Sequence, residues 1–139
     1  DCRPQLEAAL LRIEKGGQSI ISEDGYVEGA PELIVEIAAS TVSIDLHDKL
    51  KAYRRNQVQE YVVWRVDDNE IDWFRLKDEK YIKLQADENG IIKSEIYPGL
   101  WLDVTALLKG DLVKVLDVLK QGIDTPAHTN FCQKISIND

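Results

Sequence analysis

A lone acid and a lone base interrupt two apolar surfaces in the segment PELIVEIAASTVSIDLHDKLKAY, residues 31–53. Glu36 breaks the apolar run LIVEIA, and Lys49 falls on the apolar stripe of the helix that we expect to follow it. A buried carboxylate is costly unless it is paired or binds a cation, and a buried ammonium has the same difficulty. If the helix packs back on the strand, Lys49 meets Glu36 and the two charges compensate each other.

The pair allows two interpretations, and spacing alone does not choose between them. In the first, Glu36 and Lys49 form an ion pair that only fixes the helix against the strand. In the second, the carboxylate holds a divalent metal, and the lysine stabilises negative charge on a phosphate or orients a water. Glu32 shares the strand face of Glu36 but lies about 13 Å away along the strand, so the two cannot both ligate one ion directly.

The order of the strands and helices that position these residues indicates a mixed sheet with helices packed against it, in the α/β or α+β class. Apolar or alternating runs predict strands at residues 8–13, 33–38, 60–66, 71–76, 80–84 and 91–96. The run at 33–38 is apolar on both faces apart from Glu36, which is typical of a central strand.

Two helices are predicted. One face of the first is marked by residues at i, i+3, i+4 and i+7: Leu46, Lys49, Leu50 and Tyr53. Ser43 is its expected N-cap. Asp111 is the expected N-cap of the second helix, which ends at Gly122, and the segment after Thr125 shows little pattern.

The length of 139 residues fits one domain, which we place at residues 1–122 with a tail at 123–139. No apolar run approaches the roughly 18 residues that span a bilayer, and no signal segment opens the chain, so we expect a cytoplasmic protein. The formal charge of −8 argues against the broad basic surface of a non-specific nucleic-acid binder, although a bound divalent metal would change the local sign. The chain contains no methionine, so we expect a fragment or a processed product that lacks an N-terminal part of the domain.

The cysteines and histidines give weaker signals. Cys2 and Cys132 have no CxxC spacing and are expected to be free thiols. His47 lies off the apolar stripe of its helix and His128 lies in the weakly patterned tail, so both are expected to be surface histidines.

Four blocks of the sequence together resemble the Uma-type family of putative restriction endonucleases: PELIVEIAAS, IDLHDKLKAY, QEYVVWRVD and YPGLWLDV. The resemblance covers about residues 7–103. It implies a bacterial domain of the PD-(D/E)XK nuclease superfamily, with a restriction endonuclease-like core in which helices flank a central mixed β-sheet.

The resemblance also implies a site that uses Mg²⁺ or Mn²⁺ to hydrolyse DNA phosphodiester bonds. Glu36 matches the strand glutamate of the family, and Lys49 matches a lysine that has moved to the following helix. Glu7 aligns best with the first acid, where the family usually has Asp, so Glu7 and Glu36 are the implied metal ligands. Asp45 matches a recurrent position one turn before Lys49, as a supporting residue; its plainer interpretation is an i,i+4 ion pair with Lys49.

Two alternatives stay open beside a catalytic nuclease. A catalytically inactive or truncated nuclease fold could serve as an interaction module, which the acidic charge and the substituted first acid favour. A homodimer is the other alternative, because a sheet edge left open by a missing segment invites pairing with a second copy.

Overall fold

The computed structural model describes residues 7–14, 17–40 and 45–137, with the side chains of residues 7 and 137 outside that description. Within this part of the chain the elements follow in this order: β1 (Glu7–Leu11), β2 (Ile20–Ile21), β3 (Val27–Glu28), β4 (Leu33–Ala38), α1 (Leu46–Arg55), β5 (Glu60–Arg65), β6 (Glu70–Lys77), β7 (Lys80–Lys83), β8 (Ile91–Lys93), β9 (Trp101–Asp103), α2 (Val104–Lys109), α3 (Leu112–Ile123) and α4 (Pro126–Ile137). Two compact units divide the chain, one up to residue 83 and one from residue 84.

The first unit is built on a five-stranded sheet with the order β1-β4-β5-β6-β7. The β4–β5 pair is parallel, and the β1–β4, β5–β6 and β6–β7 pairs are antiparallel. Strands β1 and β7 form its two edges, and β2 and β3 make a separate small hairpin. The mixed sheet confirms the predicted fold class, and the predicted strand at residues 33–38 has the bounds of β4.

Helix α1 covers the sheet face on which Glu36 lies. Its apolar residues pack against a buried cluster formed by β4, β5 and the loop before β5: Ile34, Ala38, Val58, Tyr61 and Val63. The contacting helix side chains are Leu46, Leu50 and Tyr53, as the i, i+4, i+7 spacing predicts. Ser43, the predicted N-cap, lies outside the described residues; the helix as described begins at Leu46, with Asp45 as its N-cap. Arg54 and Arg55 lie in the last turn, where positive side chains interact favourably with the negative end of the helix dipole.

The second unit consists of the β8–β9 hairpin and three helices in the described part of the chain. Asp103 caps α2, a short helix that the sequence patterns did not predict. Asp111 caps α3, as predicted, and its side chain accepts from the backbone N–H of Lys114. Helix α4 occupies most of the segment that showed little pattern, while the predicted boundary at residue 122 stays a prediction. No helix within the described ranges is long and apolar enough to cross a membrane.

Candidate functional site around Glu36 and Lys49

Glu36 is a buried carboxylate in the middle of β4, and its side chain is only 2% exposed. The hydroxyl of Tyr53 on α1 donates to its Oε1 atom. The hydroxyl of Tyr61 on β5 donates to its Oε2 atom at 3.1 Å. Both oxygens of this buried carboxylate thus accept a hydrogen bond from a tyrosine hydroxyl.

Lys49 reaches the same carboxylate from α1. Its Nζ atom lies 3.5 Å from Oε1 of Glu36 and 5.9 Å from the centroid of the Tyr53 ring. The lysine side chain is 36% exposed whereas the acid is buried, so the ammonium lies where the buried charge meets solvent. The predicted meeting of Glu36 and Lys49 is confirmed, and it leaves a cation accessible to an incoming anion.

The two tyrosines are members of the site that the sequence patterns did not single out. Tyr61 is fully buried, and its ring centroid lies 4.8 Å from that of Tyr53. Burial and then the hydrogen bond to Glu36 raise the pKa of Tyr53, and burial and then the negative charge of Glu36 raise the pKa of Tyr61. Both tyrosines therefore stay protonated and act as donors. The available signal was that a buried tyrosine hydroxyl usually finds a partner, and Glu36 was the one acid in the neighbouring buried strand.

Asp45 lies at the start of α1, and its geometry is that of a helix cap. Its Oδ1 atom accepts the backbone N–H of Asp48 at 3.0 Å, and that bond holds the pKa of Asp45 below its usual value. The carboxylate thus satisfies an otherwise free amide at the positive end of the helix that carries Lys49. A supporting role for Asp45 in catalysis stays a prediction.

Glu7 begins β1, and the strand register fixes its backbone position relative to β4. Glu7 pairs with Ile37, and the residue directly across from Glu36 is Ala8. The structure thus brings Glu36 together with Lys49, and it places Glu7 on the adjoining strand, one register position from the partner of Glu36. The predicted ligand role of Glu7 stays a prediction.

Glu32 serves a different purpose from Glu36. Its two carboxylate oxygens accept the backbone N–H groups of Ile13 at 2.9 Å and of Gln18 at 2.8 Å. These bonds tie the segment after β1 to the start of β4. Glu32 is 5% exposed and acts as a structural acceptor of backbone donors.

A second buried acid lies on the sheet face that α1 covers. Asp72 on β6 pairs across with Val63, which in turn pairs with Glu36, so two strand spacings, about 10 Å, separate the two acidic backbones. Arg65 lies 2.8 Å from one oxygen of Asp72, and Lys83 lies 2.7 Å from the other. Two cations thus compensate Asp72, whereas Lys49 and two hydroxyls hold Glu36.

The described side chains around Glu36 supply part of the ligand set that a divalent cation needs. Carboxylate oxygen is the ligand that Mg²⁺ prefers, and Mg²⁺ sites in proteins use one or two carboxylates together with waters and phosphate oxygens. Oε2 of Glu36 accepts only from Tyr61 among the hydrogen bonds described, and a carboxylate oxygen has two lone pairs. Among the side chains that the structure describes, in residues 8–14, 17–40 and 45–136, no three His, Cys, Asp or Glu are grouped so that they could hold a metal. Glu36 can therefore supply one protein ligand, and the predicted second is Glu7.

Comparison with known proteins assigns this chain to a family. The sequence model of a family described as Uma2, putative restriction endonuclease, matches residues 7–105, which is more than half of the 139 residues. No curated protein matches the chain. The matched segment contains the whole of the Glu36–Lys49 arrangement and both elements that present it. The chain belongs to the Uma2 family of putative restriction endonucleases.

Proposed function

We propose that the chain is a metal-dependent endonuclease that hydrolyses DNA phosphodiester bonds at a site centred on Glu36 and Lys49. The observation that carries the proposal is the partly exposed ammonium of Lys49 lying 3.5 Å from a buried carboxylate, within the segment that matches the family. A buried acid supplies a ligand for a hard cation, and an accessible ammonium suits a phosphate oxygen. A carboxylate that can hold a cation and an accessible ammonium are both common parts of sites that hydrolyse phosphodiesters.

The bound metal ion would supply Lewis-acid stabilisation of the phosphate and a site for the attacking water. Glu36, with Glu7 as the second predicted ligand, would hold it. The chain's own contribution is preorganisation: Tyr53 and Tyr61 hold the Glu36 carboxylate, and the packing of Leu46, Leu50 and Tyr53 holds the helix that carries Lys49 against the sheet. Lys49 then donates to a phosphate oxygen or holds the water, without reorganising as charge develops.

Replacing Lys49 tests this assignment. We expect Lys49→Ala to lower the rate of Mg²⁺-dependent cleavage of plasmid or single-stranded DNA by about a hundredfold or more, because removing one preorganised donor typically costs that much. Lys51→Ala is the matched control: Lys51 lies two residues on, on the exposed side of α1, so cleavage should be unchanged. Circular dichroism and urea unfolding establish that both variants are folded. Equal cleavage by Lys49→Ala and the parent would refute the assignment.

A second candidate function has one observation in its favour. The position directly across from Glu36 on the neighbouring strand is Ala8, so a carboxylate pair at directly opposed positions does not occur there. In this alternative the Glu36–Lys49 pair fixes α1 on the sheet, and the domain acts as an interaction module without catalysis.

Calorimetric titration with Mg²⁺ or Mn²⁺ distinguishes the two candidates. The nuclease requires binding by the parent and its loss in Glu36→Gln, while Glu28→Gln, which changes an exposed acid on β3, should bind like the parent. No binding by the parent would favour the interaction module. Ala8→Asp is a gain-of-binding variant. Directly paired positions bring Cβ atoms to within about 5 Å, so a carboxylate at residue 8 should create or strengthen binding of the metal beside Glu36.

A further inference from the structure

The second unit contains a cysteine and a histidine in contact. Nδ1 of His128, on α4, lies 2.9 Å from the carbonyl oxygen of Pro98. A carbonyl oxygen can only accept, so Nδ1 carries the hydrogen and donates it. In a neutral imidazole the other nitrogen, Nε2, is then an acceptor. The backbone carbonyl of Pro98 therefore fixes the tautomer of His128.

Nε2 of His128 faces the thiol of Cys132. The two residues are four positions apart on α4, and Sγ lies 3.3 Å from Nε2. The thiol is the donor that remains for this acceptor, so the S–H bond points at a base. A nucleophile, a base and a group that orients the base are thus aligned, which is the arrangement by which proteins activate a thiol.

The surrounding loop holds His128 in this orientation. Gly99 has φ of +97°, and a Cβ atom there would lie 2.8 Å from Cβ of His128 and 2.7 Å from the carbonyl oxygen of Gly122. Only a glycine lets the loop approach the two helices so closely. The rings of Tyr97 and Phe131 pack edge to face, with centroids 5.9 Å apart, and fasten the same loop to α4. The predicted surface role of His128 was wrong, because the ring is partly buried and hydrogen-bonded at both nitrogens.

The sulfur is accessible from solvent. Cys132 is partly exposed, and it shares one face of α4 with the exposed residues Thr129, Gln133 and Ser136. The thiol therefore combines an adjacent base with room for a reagent to approach.

We propose that Cys132 is a nucleophilic thiol, activated by His128, and that it is a site of modification by small disulfides through thiol–disulfide exchange. Nε2 of His128 takes the thiol proton. The Cys132 thiolate attacks one sulfur of the disulfide, so that a new S–S bond forms to Cys132 while the S–S bond of the reagent breaks. The departing thiolate takes the proton back from His128. One disulfide and one thiol are consumed and one of each is formed, so no other oxidant is needed.

The rate of the first exchange tests the proposal. Cys2→Ser leaves Cys132 as the single thiol of the chain, and dithiodipyridine, an aromatic disulfide that releases a coloured product, is the probe. An ordinary thiol is only about 3% ionised at pH 7, so complete activation can raise the rate by up to roughly thirtyfold, and lower intrinsic nucleophilicity offsets part of this. We expect the Cys2→Ser protein to react about tenfold faster at pH 7 than the same protein with His128→Gln.

Two controls keep the result specific. His47→Gln removes the other histidine of the chain, which lies on α1 in the first unit, and should leave the rate unchanged. If His128→Gln fails to fold, the folded Cys2→Ser protein is compared with the same chain unfolded in guanidinium, where the His128–Cys132 alignment is lost; the folded chain should react several-fold faster. Rates that agree within twofold in either comparison would overturn the proposal. After treatment with a small disulfide such as cystamine, the intact mass of the Cys2→Ser protein should show one adduct. The same protein with Cys132→Ser added should show none.

Discussion

Tyr61→Phe removes a single oxygen atom and leaves Glu36 with one donor fewer. The phenol ring is fully buried and its hydroxyl donates to Oε2 of Glu36 at 3.1 Å, while the acid itself is 2% exposed. Water cannot easily replace the lost donor there, so the carboxylate bears the cost of an unsatisfied lone pair. A hydrogen bond to a charged group contributes about 1.5–3 kcal/mol, and we expect the free energy of unfolding to fall by about 2 kcal/mol, or about thirtyfold in the ratio of folded to unfolded protein.

Urea unfolding followed by circular dichroism measures the loss, and Tyr81→Phe is the matched control. The Tyr81 hydroxyl donates to the carbonyl oxygen of Val58 at 2.6 Å, which is a neutral acceptor. A neutral hydrogen bond contributes about 1 kcal/mol, so Tyr81→Phe should cost about half as much as Tyr61→Phe. The urea midpoint should shift while the dependence on urea concentration stays the same, because neither change alters the surface that unfolding exposes.

A double-mutant cycle isolates the charge of Glu36. In a Glu36→Gln background the acceptor is neutral, so the additional cost of Tyr61→Phe should fall to about 1 kcal/mol. The reasoning would be refuted if Tyr61→Phe cost no more than Tyr81→Phe and its cost were the same in both backgrounds. That result would mean that the hydroxyl of Tyr61 does not hold an ionised carboxylate in the folded protein.

Three further predictions concern other parts of the chain. Burial raises the pKa of Tyr53, Tyr61 and Tyr81, so at high pH the folded protein keeps phenolic protons that the unfolded chain loses. The contribution of these tyrosines to stability should be constant below about pH 10 and fall above it, and urea titrations from pH 9 to 11 should show a shallower fall for Tyr61→Phe. Glu32→Gln keeps one acceptor oxygen but places an amide N–H₂ against the other of the two backbone N–H donors, and it should cost about 2 kcal/mol in urea unfolding. An unchanged midpoint would mean that this donor has another partner. Gly99→Ala should lower the melting temperature more than Gly110→Ala, because both have positive φ but a Cβ meets backbone only at residue 99; equal shifts would contradict the close approach.

The spacing of apolar residues was enough to predict those strands and helices in which buried positions recur at a regular interval. The bounds of β4 follow from an apolar run, and the packed face of α1 follows from the i, i+4, i+7 spacing of Leu46, Leu50 and Tyr53. The pairing of Glu36 with Lys49 was also predictable, because a buried charge must find a compensating partner and few candidates were available.

The remaining features depend on contacts that no local period encodes. Helix α4 has little amphipathic pattern, and it is stabilised by contacts with α3 and by the loop at residues 97–100. Whether Tyr61 is only a core residue or also a donor to Glu36 depends on the parallel register of β4 and β5, which pairs Glu36 with Val63. The register of β1 is likewise not encoded locally. It decides whether Ala8 or Glu7 lies across from Glu36, and strand registers are set by pairing and not by the strand sequence alone.

The hydrogen bonds to Glu36 also have a consequence for the order in which the protein folds. Its partners Lys49, Tyr53 and Tyr61 lie 13, 17 and 25 positions further along the chain, so one carboxylate connects β4, α1 and β5 through contacts of short sequence separation. Contacts of that kind close small loops and form at low entropic cost, which makes the β4–α1–β5 segment a suitable folding nucleus. In stopped-flow experiments Tyr61→Phe should therefore slow folding, whereas loss of the β1–β4 pairing at the sheet edge should chiefly accelerate unfolding. The residues proposed to hold the metal and the phosphate would then also be among those that lead the chain into its native topology.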